Sequence, residues 1–362
     1  VAIVGDRIAA VGRLPGAQAH DVIEAEGRAV APGFIDAHVH LDTALLLKPK
    51  AEPLVAQGVT TVILGQDGLG FAPASPATIC YIAQYLAAIN PRYDLTVGPG
   101  GLSVSDYLGL FDRRAAINVG YLLPHGTIRY DVMGAADRRA TEDELVRMRT
   151  QVKIGMEEGA LGLSTGLEYV PALFADTAEL VVLAREVAAY DGVYVTHMRN
   201  YLEEARESLA EVAAIAKGAS IRTHISHYNL PTEWGLPLID ALRNEGLDIT
   251  IESYPYLAGS TVLAYFLPGW LSEGGTTQTL ERLGDASVRD KLRLTVPHAL
   301  DWHQVQLSFL PSKQNRELEG LRVSEAAAME GAGSFRILRK LVMSSPTVMG
   351  KPRFSSSWRC GT

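Results

Sequence analysis

From Phe34 onward the chain alternates short apolar strands with amphipathic helices, and this rhythm limits its fold more than any other feature. The first strand begins at Gly33-Phe34-Ile35-Asp36. Residues 60–65 (TTVILG) form a continuous apolar run, the kind buried on both faces of a parallel sheet. Residues 117–123, 160–163, 193–196, 221–226 and 249–254 repeat that pattern. Helices fill the intervals. Thr141-Glu142-Asp143-Glu144 is a capping box, opening a helix with Leu145, Met148 and Val152 on one face and Gly159 at its end. Residues 176–192 repeat the capping logic, with Glu179 three residues after Asp176. Further helices are expected over 202–218 and 238–246. Such alternation predicts the α/β class and a TIM-like (β/α)8 barrel, C-terminally incomplete at seven units. No Gly-x-Gly-x-x-Gly follows the first strand, which argues against a dinucleotide-binding sheet.

The two ends break the rhythm. Residues 1–13 read as a β-hairpin around Gly5-Asp6-Arg7, and residues 21–31 as a further strand leading into Pro32-Gly33. The expected division is a small β-sandwich part over 1–32, the barrel over 33–345 and an irregular tail over 346–362. Leu341-Val342-Met343 is the candidate for an eighth strand. The chain starts at Val1 without a Met and so reads as a fragment. Its 362 residues, 47% of them apolar, suffice for one large barrel core. A net charge of −8 without a basic stripe excludes nucleic acid as a partner. No apolar run reaches the roughly 18–20 residues that span a bilayer. Two cysteines, Cys80 and Cys360, do not make a disulfide framework, which points to the cytoplasm. Nothing in the sequence sets an oligomeric state.

In a barrel the C-terminal ends of the strands share one face, and that face carries the chemistry. His38 and His40 end the first strand, and side chains two apart on a strand point the same way. Both imidazoles can therefore reach one metal ion. Asp67 follows the second strand, and His197 and His227 follow the fifth and sixth. Taken singly, each has a bland reading: Asp67, in Gly65-Gln66-Asp67-Gly68, is also a good turn aspartate. Together, His38, His40, Asp67, His197 and His227 form a zinc-type ligand set. A zinc ion lowers the pKa of a bound water to about 7, and amide hydrolysis then needs a general base as well. Two other histidines serve as controls. By strand parity His224 faces away from His227, toward a helix, and His125 reads as support for the ligands.

These residues resemble the amidohydrolase superfamily and, within it, the N-acyl-D-amino-acid deacylase (D-aminoacylase) family. The resemblance covers about residues 1–345. It rests on Pro32-Gly33-Phe34-Ile35-Asp36-Ala37-His38-Val39-His40, Gly58-Val59-Thr60-Thr61-Val62 and Pro124-His125-Gly126-Thr127-Ile128-Arg129. It continues through Gly162-Leu163-Ser164-Thr165-Gly166-Leu167-Glu168-Tyr169, Thr196-His197-Met198-Arg199-Asn200, Ile225-Ser226-His227 and Tyr254-Pro255-Tyr256-Leu257-Ala258-Gly259-Ser260-Thr261. The resemblance implies a zinc-dependent hydrolase that releases a D-amino acid from its N-acyl derivative. His197 and His227 match the tight zinc site, and His38 and His40 a second, weaker one. Tyr169 matches a tyrosine that touches substrate, and Ser260 lies in a turn able to donate to it.

Three departures stand out. Asp67 occupies the place of a family cysteine. Ser226-His227-Tyr228-Asn229 replaces Ser-His-x-Lys, which leaves Arg199 or Arg129 to meet a substrate carboxylate. Ser344-Ser345-Pro346 stands where the family's eighth strand offers Ser-Asp-Gly, so no catalytic base is assigned. The alternatives are another amidohydrolase, acting on cyclic amides or dipeptides, and an inactive, truncated relative. A carboxylated lysine is not expected, because the fourth strand carries no Lys.

Overall fold

The computed structural model describes residues 1–344, apart from 96, 202–203, 296–300, 311 and 332. Cys360, Pro346 and the tail 346–362 lie outside the described residues. The N-terminal hairpin is present: β1 (Ala2–Val4) pairs antiparallel with β2 (Arg7–Ala10). Residues 21–31 form no strand, contrary to expectation. Val22, Ile23 and Val30 are exposed there, so no sheet takes up their alternation.

The seven expected strands form one parallel sheet in chain order: β3 (Phe34–Asp36), β4 (Val59–Leu64), β5 (Asn118–Pro124), β6 (Gly162–Gly166), β7 (Val193–His197), β8 (Arg222–Ile225) and β9 (Ile249–Ile251). Sequential order in a parallel sheet is barrel topology, with each helix crossing over one face. Here the sheet curls but is edged by β3 and β9 among the described residues. The middle of the sheet is the most buried: every residue of β6 is buried, as are Tyr121, Leu122, Leu123 and Pro124 of β5.

Helices cover the convex face. The helix Glu142–Glu157 begins with the expected capping box: the Thr141 hydroxyl accepts from the Glu144 N–H, and the Glu144 carboxylate accepts from the Thr141 N–H. Met148 and Val152 of that helix reach the main core together with Leu123 and Leu163. A second cluster joins Ile225 and Ile249 of β8 and β9 to Leu209 and Val212 of the helix Ala205–Ala219. Asp176 caps the helix Thr177–Ala188 by accepting from the Glu179 N–H. Glu179 does not complete the box. Its carboxylate instead receives His125 Nε2 at 2.8 Å and Arg129 Nε at 3.1 Å.

Leu341 and Val342 are helical, which corrects the expected eighth strand: they belong to the helix Ser334–Ser344. The reason is helical spacing. Ile337 and Leu341 lie one turn apart and bury together against Val323, Ala326 and Ala327. Among the described residues no strand closes the gap between β9 and β3, and Phe34 and Ile35 are exposed along that edge.

Replacing the N-cap, Thr141→Ala, is expected to cost about 1 kcal/mol. A urea unfolding midpoint, compared with wild type, reads this directly.

Candidate metal centre

The five predicted side chains meet at the C-terminal edge of the sheet. Asp67 sits in a turn just after β4 that is left-handed at Gly65 (φ 74°), Asp67 (φ 54°) and Gly68 (φ 68°). This turn drives the carboxylate back over the strand ends, and strain of this kind collects at functional sites. The neighbouring strand leaves no slack, because a Cβ on Gly166 would lie 2.1 Å from the Asp67 carbonyl oxygen.

The two carboxylate oxygens face different imidazoles. Oδ2 lies 3.6 Å from His38 Nε2 and 3.2 Å from His40 Nε2. Oδ1 lies 3.9 Å from His197 Nδ1 and 3.7 Å from His227 Nε2, and those two nitrogens are 3.0 Å apart. Donors about 2.0–2.2 Å from one ion at tetrahedral angles lie about 3.4 Å from each other, so both groups have ligand spacing. His38, Asp67 and His227 also bring ligand atoms within 4.8 Å of one another. Asp67 is 6% exposed, yet its Oδ1 is buried without a hydrogen-bond partner. An unpartnered buried carboxylate oxygen is costly unless something cationic satisfies it, and a metal ion fits that vacant valence.

Without metal, charge pairing fills part of this role. Burial raises the Asp67 pKa, but the charge of His38 and the close approach of the His227, His38 and His40 imidazoles hold it well below the usual carboxylate range. Burial opposes the His38 charge, yet Asp67 and Glu252 push its pKa up to about 10.

Two site residues escaped the sequence reading. Glu168, two residues after β6, holds its Oε2 2.7 Å from His197 Nε2 and accepts from the Tyr265 hydroxyl at 3.1 Å. Glu252, one residue after β9, holds its Oε1 3.0 Å from His38 Nδ1 and accepts from the His227 backbone N–H at 2.5 Å. Both obey the rule that found Asp67, an acidic residue just past a strand end. Tyr169 does reach the site, its ring 4.8 Å from that of His197. Burial raises its hydroxyl pKa well above the usual value, with the neighbouring Thr261 opposing that rise.

Other expectations need correction. Arg129 is completely buried, bonded to Glu179 and to the carbonyls of Ala136, Pro171 and Arg138, so it offers substrate no free donor face. Arg199 is similarly engaged, paired with Glu211 and donating to the Leu173 and Ala175 carbonyls. Ser260 is exposed on the wall of a cavity of about 630 Å³ that also includes Leu263, Phe266 and Arg322. His125 pairs with Glu179 and takes no place among the five. His224 does not face a helix: its Nδ1 meets Thr250 Oγ1 of β9 at 2.7 Å, whereas its neighbour Ile225 packs on the helices. Strand parity misleads because the chain leaves extended geometry before His227, which sits at φ 34°. Asn229 accepts a hydrogen bond from the Ser253 hydroxyl.

Histidines and carboxylates gathered at the C-terminal rim of a parallel βα sheet are the layout of a barrel metalloenzyme. Residues 21–305 match the amidohydrolase family, and the chain belongs to it. It is similar to a D-aminoacylase of Alcaligenes xylosoxydans xylosoxydans, 38% identical over 72% of this chain and 54% of that protein. An N-acyl-D-glutamate deacylase of the same organism is 35% identical over 73% of this chain and 54% of its own length. The chain thus spans about half the length of the curated relatives it matches. Among solved structures it resembles a D-aminoacylase (TM-score 0.64, 29% identity, 88% of this chain and 62% of that one). It also resembles an N-acyl-D-glutamate deacylase from Bordetella bronchiseptica complexed with zinc and a phosphonate inhibitor (TM-score 0.68, 27% identity, 86% of this chain and 59% of that one). No helix among the described residues is long and apolar enough to cross a membrane.

The raised His38 pKa has a consequence for the metal-free chain. Its folded value lies above the ordinary 6.5, so the stability it supplies is complete below pH 6.5 and disappears as pH rises through about 10. Urea midpoints at pH 6.5 and pH 10 are expected to fall further in the wild type than in His38→Gln when chelator is present.

Proposed function

We propose that the chain carries the metal centre of a zinc-dependent hydrolase that cleaves the amide bond of N-acyl-D-amino acids, giving a D-amino acid and a carboxylate. One observation carries this reading: a single buried carboxylate, Asp67, turns one oxygen to each of two imidazole pairs. His197, His227 and Asp67 would hold the tight zinc ion, and His38, His40 and Asp67 a second, weaker one. When bound, zinc supplies a Lewis acid and a water acidic enough to ionise near neutral pH. The deacylase relatives point to linear N-acyl-D-amino acids as the substrate class.

The chain's own groups set limits on the rest. Asp67 stays ionised throughout the neutral range and serves as an anionic ligand. The Tyr169 hydroxyl keeps its proton at neutral pH, so it donates a hydrogen bond to substrate and does not act as a base. With Arg129 and Arg199 both engaged, hydroxyls and backbone N–H groups are the donors we propose for the substrate carboxylate.

Hydrolysis of N-acetyl-D-methionine beside its L-isomer tests the proposal. The expected result, in a version extended with the family's eighth strand and its aspartate, is D-selective turnover that rises with added zinc and vanishes with chelator. Asp67→Ala should lose more than the about 10–100-fold that a ligand's outer partner contributes. Turnover unaffected by chelator, or cleavage of hydantoins or dipeptides with the D-substrate left intact, would contradict it.

A further inference from the structure

Glu168 and Glu252 have no place in the ligand set, yet each lies against one of its histidines. An imidazole that binds a metal through one nitrogen carries its proton on the other, and whatever accepts that proton fixes the tautomer and the ring's orientation. Glu168 Oε2 is 2.7 Å from His197 Nε2, and the opposite nitrogen, Nδ1, is the one facing Asp67 Oδ1. Glu252 Oε1 is 3.0 Å from His38 Nδ1, and there the opposite nitrogen, Nε2, faces Asp67 Oδ2. The approach to His38 is close but off the line of a straight hydrogen bond, since Nδ1 has no aligned partner. The two histidines thus present different nitrogens to Asp67, with Glu168 hydrogen-bonded to the other nitrogen of His197 and Glu252 lying against the other nitrogen of His38.

Glu252 does more than Glu168. The same oxygen that approaches His38 also accepts the backbone N–H of His227, at 2.5 Å. His227 sits at φ 34°, a left-handed conformation that a non-glycine residue adopts only when held. Its neighbour Tyr228 is tied to the same residue, N–H to the Glu252 carbonyl, at 2.7 Å. Glu252 follows β9 and His38 follows β3, which are the two edges of the sheet. One carboxylate therefore reaches a histidine from each imidazole pair, across the gap between the sheet edges.

Resting on the zinc reading above, we propose that Glu168 and Glu252 are positioning residues that choose the metal-facing nitrogens of His197 and His38. We further infer that Glu252 couples the two metal subsites through the backbone of His227. Glu168 acts on one subsite and Glu252 on both.

The test measures metal affinity rather than turnover. Zinc binding by the full chain is followed by equilibrium dialysis with elemental analysis, and cobalt loading by visible absorption. Glu168→Ala is expected to weaken the tight site about 10–100-fold and leave the second within about threefold. Glu252→Ala is expected to weaken both sites. Glu252→Gln keeps an accepting oxygen without the charge, so a smaller loss at both sites, about three- to tenfold, is expected, with a shifted cobalt spectrum and unchanged circular dichroism. A purely structural role would lower the thermal midpoint of the metal-free protein without moving the cobalt spectrum of the folded Gln variant. If Glu252→Ala fails to fold, the Gln variant decides. Zinc affinities within twofold of wild type in the Gln variant and in any folded Ala variant would overturn the inference, as would loss at one site only. A wild-type chain that binds no zinc would overturn the metal reading as well, so the two failures are distinguishable.

Discussion

The structure depends on one buried carboxylate in the midst of four imidazoles. Asp67 has little water to solvate its charge, and Oδ1 has no hydrogen bond. Burying such a charge is unfavourable unless positive groups converge on it. Four histidines converge here from three strand ends, those of β3, β7 and β8. A parallel sheet makes that convergence geometrically simple, because all its strands end at the same rim. The left-handed turn 65–68 then carries the carboxylate over the rim, and the tight contact with Gly166 keeps it there.

The imidazole pairs come from opposite parts of the sheet. His38 and His40 follow the edge strand β3, whereas His197 and His227 follow β7 and β8. Asp67 and Glu252 are the groups that touch both pairs. The curl of the sheet and the assembly of the site are therefore one problem: a flat sheet would leave His38 far from β9. Away from this rim the charges have other duties. The buried trio His125, Arg129 and Glu179 ties the segment after β5 to the helix Thr177–Ala188, which is why residues that look catalytic in sequence act as packing here.

Much of this was legible in the residues. Every strand of the sheet showed as an apolar run, and each of the five ligand candidates stood at a strand end. What failed, failed for physical reasons. Leu341-Val342-Met343 looks extended as a triplet, but Ile337 one turn earlier sets a helical period. Strand parity placed His224 wrongly because the chain bends before His227. Arg129 and Arg199 looked available because their partners, Glu179 and Glu211, are distant in sequence or on another element. Glu168 and Glu252 were missed although they obey the positional rule that picked out Asp67, since their role appears only once the far nitrogen of each histidine is placed.

The most direct measurement is anomalous diffraction at the zinc edge from crystals of the zinc-loaded chain. The account predicts a peak within about 2.0–2.2 Å of Asp67 Oδ1, His197 Nδ1 and His227 Nε2, with any second peak between Asp67 Oδ2 and the two histidines after β3. Zinc bound elsewhere, or a tight zinc that leaves the Asp67 carboxylate uncoordinated, would contradict it.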